Sequence, residues 1–162
     1  DSHCEVSEQD DVYFYYKPLE AGYTTVFEHY YCANFRFATS MQLTVLEADG
    51  SRAEKIVLEI WEDWIKKYLQ DQSGNGQGYA VHGYDPLVTP TVSSRCISGS
   101  DIADAEVTIE KNDADDGGST VYVGVTPLKV GTCVYEITVT AGKASASGTV
   151  TIEVINDPTV PT

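Results

Sequence analysis

The sequence predicts a mainly β protein, with a β-sandwich in its C-terminal half and a β-rich N-terminal region containing one helix near residues 52–70. Three observations predict this class. Short runs of alternating apolar and polar residues fill the second half, separated by Gly, Asp and Pro. The first 37 residues hold all four Phe and six of the eleven Tyr, in runs of strand composition. Between these parts, one stretch repeats its apolar residues at three- and four-residue steps.

Two aromatic runs open the chain and predict strands. They are VYFYY (residues 12–16) and TTVFEHYYCANFRF (residues 24–37), and the turn-like KPLEAG (residues 17–22) separates them. Aromatic and β-branched residues favour the pleated, half-buried surface of a sheet.

The stretch SMQLTVLEAD (residues 40–49) predicts a further strand. Met41, Leu43 and Val45 share one face, and polar residues lie between them on the other. Asp49-Gly50 closes this strand with a turn signal.

A helix is predicted over residues 52–70, in RAEKIVLEIWEDWIKKYLQDQ. Its apolar residues recur at the spacing of one helical face, and Glu and Lys lie between them. The loop SGNGQGY (residues 73–79) ends it, because three glycines in five residues do not sustain a helix. In an alternative interpretation, KIVLEIW (residues 55–61) is the second strand of a hairpin across Asp-Gly. The apolar residues that favour the helix are Val57, Trp61, Trp64, Ile65 and Tyr68.

From Pro86 onward the pattern predicts only strands. Five segments qualify: LVTPTV, AEVTIEK, STVYVGV, TCVYEITVT and ASGTVTIEVI. In the last, Val150, Ile152 and Val154 share one face, and Ala141-Gly142 suits a tight hairpin before it. These patterns divide the chain into an N-terminal region (1–85), a sandwich (86–155) and a linker or tail (156–162).

The segment GTCVYEITVTAGKASASGTVTIEV (residues 131–154) resembles the C-terminal hairpin of bacterial immunoglobulin-like domains. The trailing VINDPTVPT (residues 154–162) resembles the V-N-D-x-P linker between tandem cadherin-like and immunoglobulin-like repeats of surface adhesins. The resemblance covers about the last 70 residues, implies an immunoglobulin-like sandwich and brings no catalytic residues with it. Residues 1–85 resemble no family.

The five predicted strands are fewer than the roughly seven of an immunoglobulin-type sandwich. The missing strands come either from the first half of this chain or from another molecule, since a sandwich that lacks a strand exposes a groove that a neighbour's strand fills. The candidate donors are the N-terminal segment and the C-terminal IEVINDPTVPT. The expected subunit interface therefore comprises Tyr13, Phe14, Tyr15, Tyr16, Ile155 and Pro158.

The charge balance excludes two classes of partner. Twenty-five acids against ten Lys and Arg give a net charge of −15 and a pI near 4.3. Such a surface repels nucleic acid and anionic lipid but attracts divalent cations. No apolar run is long enough to span a bilayer, so membrane insertion is not expected.

The N-terminus and the cysteines predict export. The chain begins Asp-Ser-His-Cys without an initiator Met, as a mature protein does after its signal peptide is removed. Four cysteines in an oxidising compartment predict disulfides, and of the three possible pairings Cys4–Cys32 with Cys96–Cys133 keeps each bridge within one half. Free buried cysteines in a cytosolic protein are the alternative.

The acidic segment NDADDGG (residues 112–118) is the nearest approach to a metal motif. Asp113, Asp115 and Asp116 offer carboxylates to calcium, but their spacing does not fit an EF-hand loop. A solvated turn between strands explains the segment better. No cofactor is therefore expected, with calcium as the one candidate.

Neither zinc nor enzymatic chemistry is expected. HYYC (residues 29–32) and His3-Cys4 contain zinc-ligand residue types, but an oxidising compartment favours disulfides. No nucleophile motif, zinc-protease motif or phosphate-binding loop occurs, so the chain is predicted not to be an enzyme.

The aromatic residues have two interpretations. Tyr13, Tyr15, Tyr30 and Tyr79 are candidate platforms for sugars, although alternating strands bury every second residue. Trp61 and Trp64 share a face of the predicted helix and are expected to pack rather than bind.

Two functions fit these patterns. The first is a secreted structural protein, a subunit of an extracellular filament or surface assembly whose copies join head to tail by strand or tail exchange. The alternative is an adhesin or carbohydrate-binding module from a tandem array, with glycans as partners.

Overall fold

The computed structural model describes residues 4–9, 14–32, 35–71, 76–113 and 117–160. Regular structure within these ranges is entirely β, which confirms the mainly β class. The twelve strands are β1 (Cys4–Gln9), β2 (Phe14–Pro18), β3 (Gly22–Cys32), β4 (Phe35–Val45), β5 (Val57–Glu59), β6 (Trp64–Tyr68), β7 (Gln77–His82), β8 (Thr91–Ser98), β9 (Ala103–Lys111), β10 (Ser119–Pro127), β11 (Gly131–Ala141) and β12 (Ala144–Ile155).

The prediction of a helix over residues 52–70 is wrong. This segment holds the strands β5 and β6, and exposure alternates along β6, where Ile65 is buried between exposed neighbours. β5 and β6 are edge strands of the two sheets of the sandwich. The hydrogen bonds and packing that they gain there outweigh the weak intrinsic preference of this segment for a helix. The hairpin alternative names the wrong partner as well, because β5 pairs with β7 while β4 pairs with β3.

Eight strands form two four-stranded sheets, with orders β5-β7-β10-β9 and β6-β12-β11-β8. All neighbours are antiparallel except β6 and β12, which are parallel. Residues 57–82 of the same chain thus supply the strands that the sequence count lacked, and the predicted boundary at residue 85 falls between strands of one sandwich.

The core lies between the two sheets. Inward-facing residues alternate along each strand, as on Val121 and Val123 of β10 and on Ile137 and Val139 of β11, all fully buried. Val150, Ile152 and Val154 of β12 lie inward together, so the face predicted for this strand is confirmed.

Four of the five predicted C-terminal strands lie where the sequence places them. The first does not: β8 runs from Thr91 to Ser98 rather than from Leu87. Pro90 has no N–H to donate to a ladder, and Leu87 is 79% exposed. The predicted hairpin at Ala141-Gly142 is confirmed, with Gly142 in the left-handed region at φ +62°.

Two hairpins lie outside the sandwich sheets. The strands β1 and β2 pair with each other, as do β3 and β4, and the described residues add no third strand to either pair. We call the β3–β4 pair the ribbon.

The core account makes a stability prediction. Ile137→Ala removes a fully buried side chain between the sheets and should lower the free energy of unfolding by about 2–5 kcal/mol, because it leaves a cavity. The matched control is Ile97→Ala on β8, where the Ile97 side chain is 50% exposed. This substitution should change the free energy of unfolding by less than about 0.5 kcal/mol. Urea unfolding measures both, and equal losses would contradict the described core.

Candidate functional site

The ribbon is the most prominent feature outside the sandwich. Its two strands have eleven residues each and pair from Gly22 opposite Val45 to Cys32 opposite Phe35. At the rise of a β-strand this is a length of about 35 Å. Its exposed apolar side chains include Phe27 and Met41, at 50% and 39% exposure.

An aromatic residue and an ion pair anchor the base of the ribbon to the sandwich. The Tyr23 hydroxyl donates to the Ala53 carbonyl at 2.9 Å, and the Arg52 guanidinium lies 5.3 Å from the centre of the Tyr23 ring. Arg52 in turn donates two hydrogen bonds to the Asp85 carboxylate, at 2.5 and 2.6 Å. Such a two-pronged pair fixes geometry as well as charge, so Tyr23, Arg52 and Asp85 hold β3 against the loop after β7.

The pKa values at this anchor follow from its contacts. The hydrogen bonds from Arg52 lower the pKa of Asp85 to about 2. The hydrogen bonds to Asp85 raise the pKa of Arg52, while burial and then the Asp85 charge raise the pKa of Tyr23. The anchor is therefore a neutral phenol beside a fully ionised pair at neutral pH.

Two further contacts support the base. The Lys55 ammonium donates to the Ala21 carbonyl at 2.7 Å, just before β3 begins. Gly117, after β9, approaches Thr25 so closely that an added Cβ would lie 2.8 Å from the Thr25 hydroxyl. Because Gly117 also has φ +65°, both its conformation and its position require glycine.

A cleft of about 540 Å³ lies between the ribbon and the sandwich. Its apolar wall includes Phe27, Leu43 and Val57, and its cationic groups are Lys55 and Lys111. The Lys55 ammonium lies 3.9 Å from the Glu20 carboxylate, which also lines the cleft, so the two lysines exceed the lining carboxylate by one charge. The remaining lining residues are Glu20, Tyr23, Thr24, Thr25, Gln42, His82, Gly83, Tyr84, Pro86, Gly117 and Gly118.

The predicted subunit interface stays a prediction, and its described residues lie in two separate places, β2 and the end of β12 with the turn after it. Tyr13 lies outside the described residues, and Phe14, Tyr15 and Tyr16 lie in β2, paired with Gln9, Glu8 and Val6 of β1. Ile155 ends β12 inside the sandwich, where it pairs with Tyr68, and Pro158 is exposed in the turn that follows.

The predicted calcium residues do not form a described site. Asp115 and Asp116 lie outside the described residues, and Asp113 is exposed. The turn closes on itself instead: the Asn112 amide donates to the Gly117 carbonyl at 2.9 Å, and its oxygen accepts from Thr120 at 2.7 Å. No group of three metal-ligating side chains occurs in the described part of the chain.

The prediction of a Cys96–Cys133 disulfide is not supported, because both thiols are free in this structure. Across the β8–β11 pair Cys96 lies opposite Tyr135 rather than Cys133. The Cys96 thiol donates to the Ser98 carbonyl at 3.3 Å, and burial raises the pKa of the Cys133 thiol. For the other predicted bridge, Cys4 and Cys32 lie in the separate hairpins β1–β2 and β3–β4, and their side chains lie outside the described ones.

The structure changes the interpretation of the aromatic residues. Tyr79 is fully buried and cannot serve as a sugar platform. The packed helical face expected for Trp61 and Trp64 is not present, since they are 60% and 51% exposed, although the Trp61 ring contacts Tyr79. Their helix-like spacing did not reveal this exposure, because no pattern in a single sequence distinguishes an exposed tryptophan from a packed one. Of the other candidates, Tyr13 and the side chains of Tyr15 and Tyr30 lie outside the described residues.

Comparison with protein-family models and with curated proteins gives no match. Among solved structures, one similar chain is titled "Crystal structure of the S-layer protein SbsC domains 4 and 5", at 17% identity and a TM-score of 0.33. The alignment covers 88% of this chain and 62% of that one. A likeness this low carries no argument about function, and membership of the bacterial immunoglobulin-like family stays a prediction, as does the absence of enzymatic activity. The described residues contain no helix of the length and apolarity that crossing a membrane requires.

The anchor predicts a specific pH dependence. The Asp85 pKa is lowered from 3.8 to about 2 in the folded state, so the pair stabilises the fold above pH 3.8 and loses its effect as the pH falls through about 2. Asp85→Asn should lower the free energy of unfolding at pH 7 by about 1–2 kcal/mol. This range is below what the pKa shift alone would give, because Arg52 is 38% exposed and solvent screens the pair. Urea unfolding at several pH values measures it.

The control is Asp101→Asn, which breaks a pair with Lys129 whose side chains are both 66% exposed. We expect it to leave the free energy of unfolding almost unchanged, because solvent screens an exposed pair. An Asp85→Asn loss that persists at pH 2 would argue against the anchor.

Proposed function

We propose that the chain is a secreted structural protein, a subunit of an extracellular filament or surface assembly whose copies contact one another through the ribbon. The observation that carries this proposal is a ribbon with two strands of eleven residues and exposed apolar side chains. A two-stranded hairpin is marginal in water and becomes stable with a third strand or a packing partner. A neighbouring copy would supply that partner.

Charge complementarity supports a second copy as the partner. Copies that each carry −15 repel one another at a distance, so their association requires specific local contacts. The cleft beside the ribbon offers Lys111, and Lys55 beside its partner Glu20, to an otherwise acidic molecule. An extended acidic segment of the next copy, with its apolar side chains against Phe27 and Leu43, fits this combination.

The geometry of β12 argues for the ribbon over the C-terminal tail as the point of contact. This strand pairs with β11 on one side and β6 on the other, and the Ile155 carbonyl accepts from the Leu69 amide at 2.8 Å. Donating Ile155 to a neighbour would break these bonds. Furthermore, strands β5 to β7 already complete both sheets, so this sandwich does not require a strand from another molecule.

Phe27→Asp tests the proposal. The substitution places a carboxylate on the apolar side of the ribbon and cleft, and we expect it to convert assemblies of the secreted chain into 17.7 kDa monomers. Light scattering after size exclusion and negative-stain microscopy measure this. The matched control is Leu128→Asp in the loop before β11, with the same charge change and similar exposure (49% against 50%), and it should leave assembly intact. A wild-type chain that stays monomeric at high concentration would refute the proposal.

A further inference from the structure

The link between β5 and β6 and the first residue of β6 expose both tryptophans of the chain. The sequence Trp61-Glu62-Asp63-Trp64, here called the WEDW segment, is exposed at all four positions. Trp61 and Trp64 are 60% and 51% exposed, and the chain has no other tryptophan. Tryptophan is buried on average, and its large apolar area makes exposure costly.

The backbone of the WEDW segment is held in place from both sheets. The Glu62 carbonyl accepts the Tyr79 hydroxyl at 2.5 Å, and the Asp63 carbonyl accepts the Thr151 amide at 2.7 Å. Burial, followed by the charges of Glu62 and Asp63, raises the pKa of Tyr79 to about 12, so its hydroxyl keeps the proton that it donates. The exposure of the rings is therefore a property of an anchored segment.

Both rings are oriented by contacts as well. Trp61 meets Tyr79 edge to face, with ring centres 5.6 Å apart and planes at 63°. The Trp64 indole N–H donates to the Glu153 carboxylate at 3.1 Å. Side chains fixed before binding lose little freedom when a ligand arrives.

The groups beside the rings indicate the class of ligand. Glu62 and Asp63 are exposed between the tryptophans, and Glu153 accepts from Trp64 with the Lys66 ammonium 3.9 Å away, so three carboxylates stand against one ammonium. Pyranose rings have apolar C–H faces that stack on indoles and hydroxyls that donate to carboxylates. These carboxylates repel anionic ligands. They also argue against a protein partner, because the cores of protein interfaces are depleted in charged residues.

We propose that the WEDW segment binds a neutral oligosaccharide chain. Trp61 and Trp64 are three residues apart, at most about 11 Å between Cα atoms, a separation that one oligosaccharide chain can span. The rings supply stacking, and the carboxylates of Glu62, Asp63 and Glu153 accept hydroxyl hydrogens. The segment contributes no residue to the cleft at the ribbon, so this inference does not depend on the proposed assembly.

Intrinsic fluorescence tests the proposal directly, because both tryptophans belong to the site. The folded full chain is titrated with cellohexaose, chitohexaose and maltohexaose and is also applied to an array of neutral glycans. We expect at least one ligand to shift the emission to shorter wavelength and to protect it from acrylamide quenching. Binding to none of them would overturn the proposal.

Substitutions then assign the binding to the site. Trp61→Ala and Trp64→Ala should each raise the Kd measured by calorimetry about tenfold or more, which is the scale of one lost aromatic contact. Trp64→Phe should retain part of the affinity that Trp64→Ala loses. Tyr122→Ala removes a 43% exposed aromatic residue on the outer face of β10 and should leave Kd unchanged. Thermal unfolding checks that each variant folds. Wild-type affinity in both tryptophan variants, or an emission shift that follows protein concentration without sugar, would overturn the assignment.

Discussion

The strand pairing of residues 57–68 is the constraint on which the rest of the structure depends. This short segment gives one edge strand to each sheet: β5 pairs antiparallel with β7, and β6 pairs parallel with β12. Between them the chain crosses from one sheet to the other, and hydrogen bonds from Tyr79 and Thr151 hold the crossing. The sandwich is thereby completed within one chain, and the crossing itself becomes the exposed WEDW segment.

A completed sandwich changes what the N-terminal strands are for. Since residues 57–82 fill both sheets, β1 to β4 are not needed there and form separate hairpins. The ribbon is tied down at its base through Tyr23, Arg52 and Asp85, directly upstream of β5 and downstream of β7. The residues on either side of the segment that closes the core thus hold the base of the ribbon and, with it, one wall of the cleft.

The sequence predicts the strands after residue 103 because their period of two is unbroken and glycines such as Gly142 mark their turns. It misleads at residues 52–70 for a physical reason. In β5 the inward residue is Leu58 and in β6 it is Ile65, and the crossing between them resets the phase of alternation. A period of two with a phase break resembles a helical spacing, so the sequence pattern alone does not distinguish a helix from two short edge strands. The cleft could not be predicted, because its walls are distant in sequence and meet only after folding.

Hydrogen exchange of the dilute monomer tests most directly whether the chain completes its own sandwich. The Thr151 amide donates to the Asp63 carbonyl, and the Leu69 amide donates to the Ile155 carbonyl. These two hydrogen bonds flank the pairing of β6 with β12. We expect both amides, and those of β7, to be equally protected at low and high protein concentration. Fast exchange at high dilution, with protection gained only as concentration rises, would show that another molecule supplies the missing strand and would contradict this account.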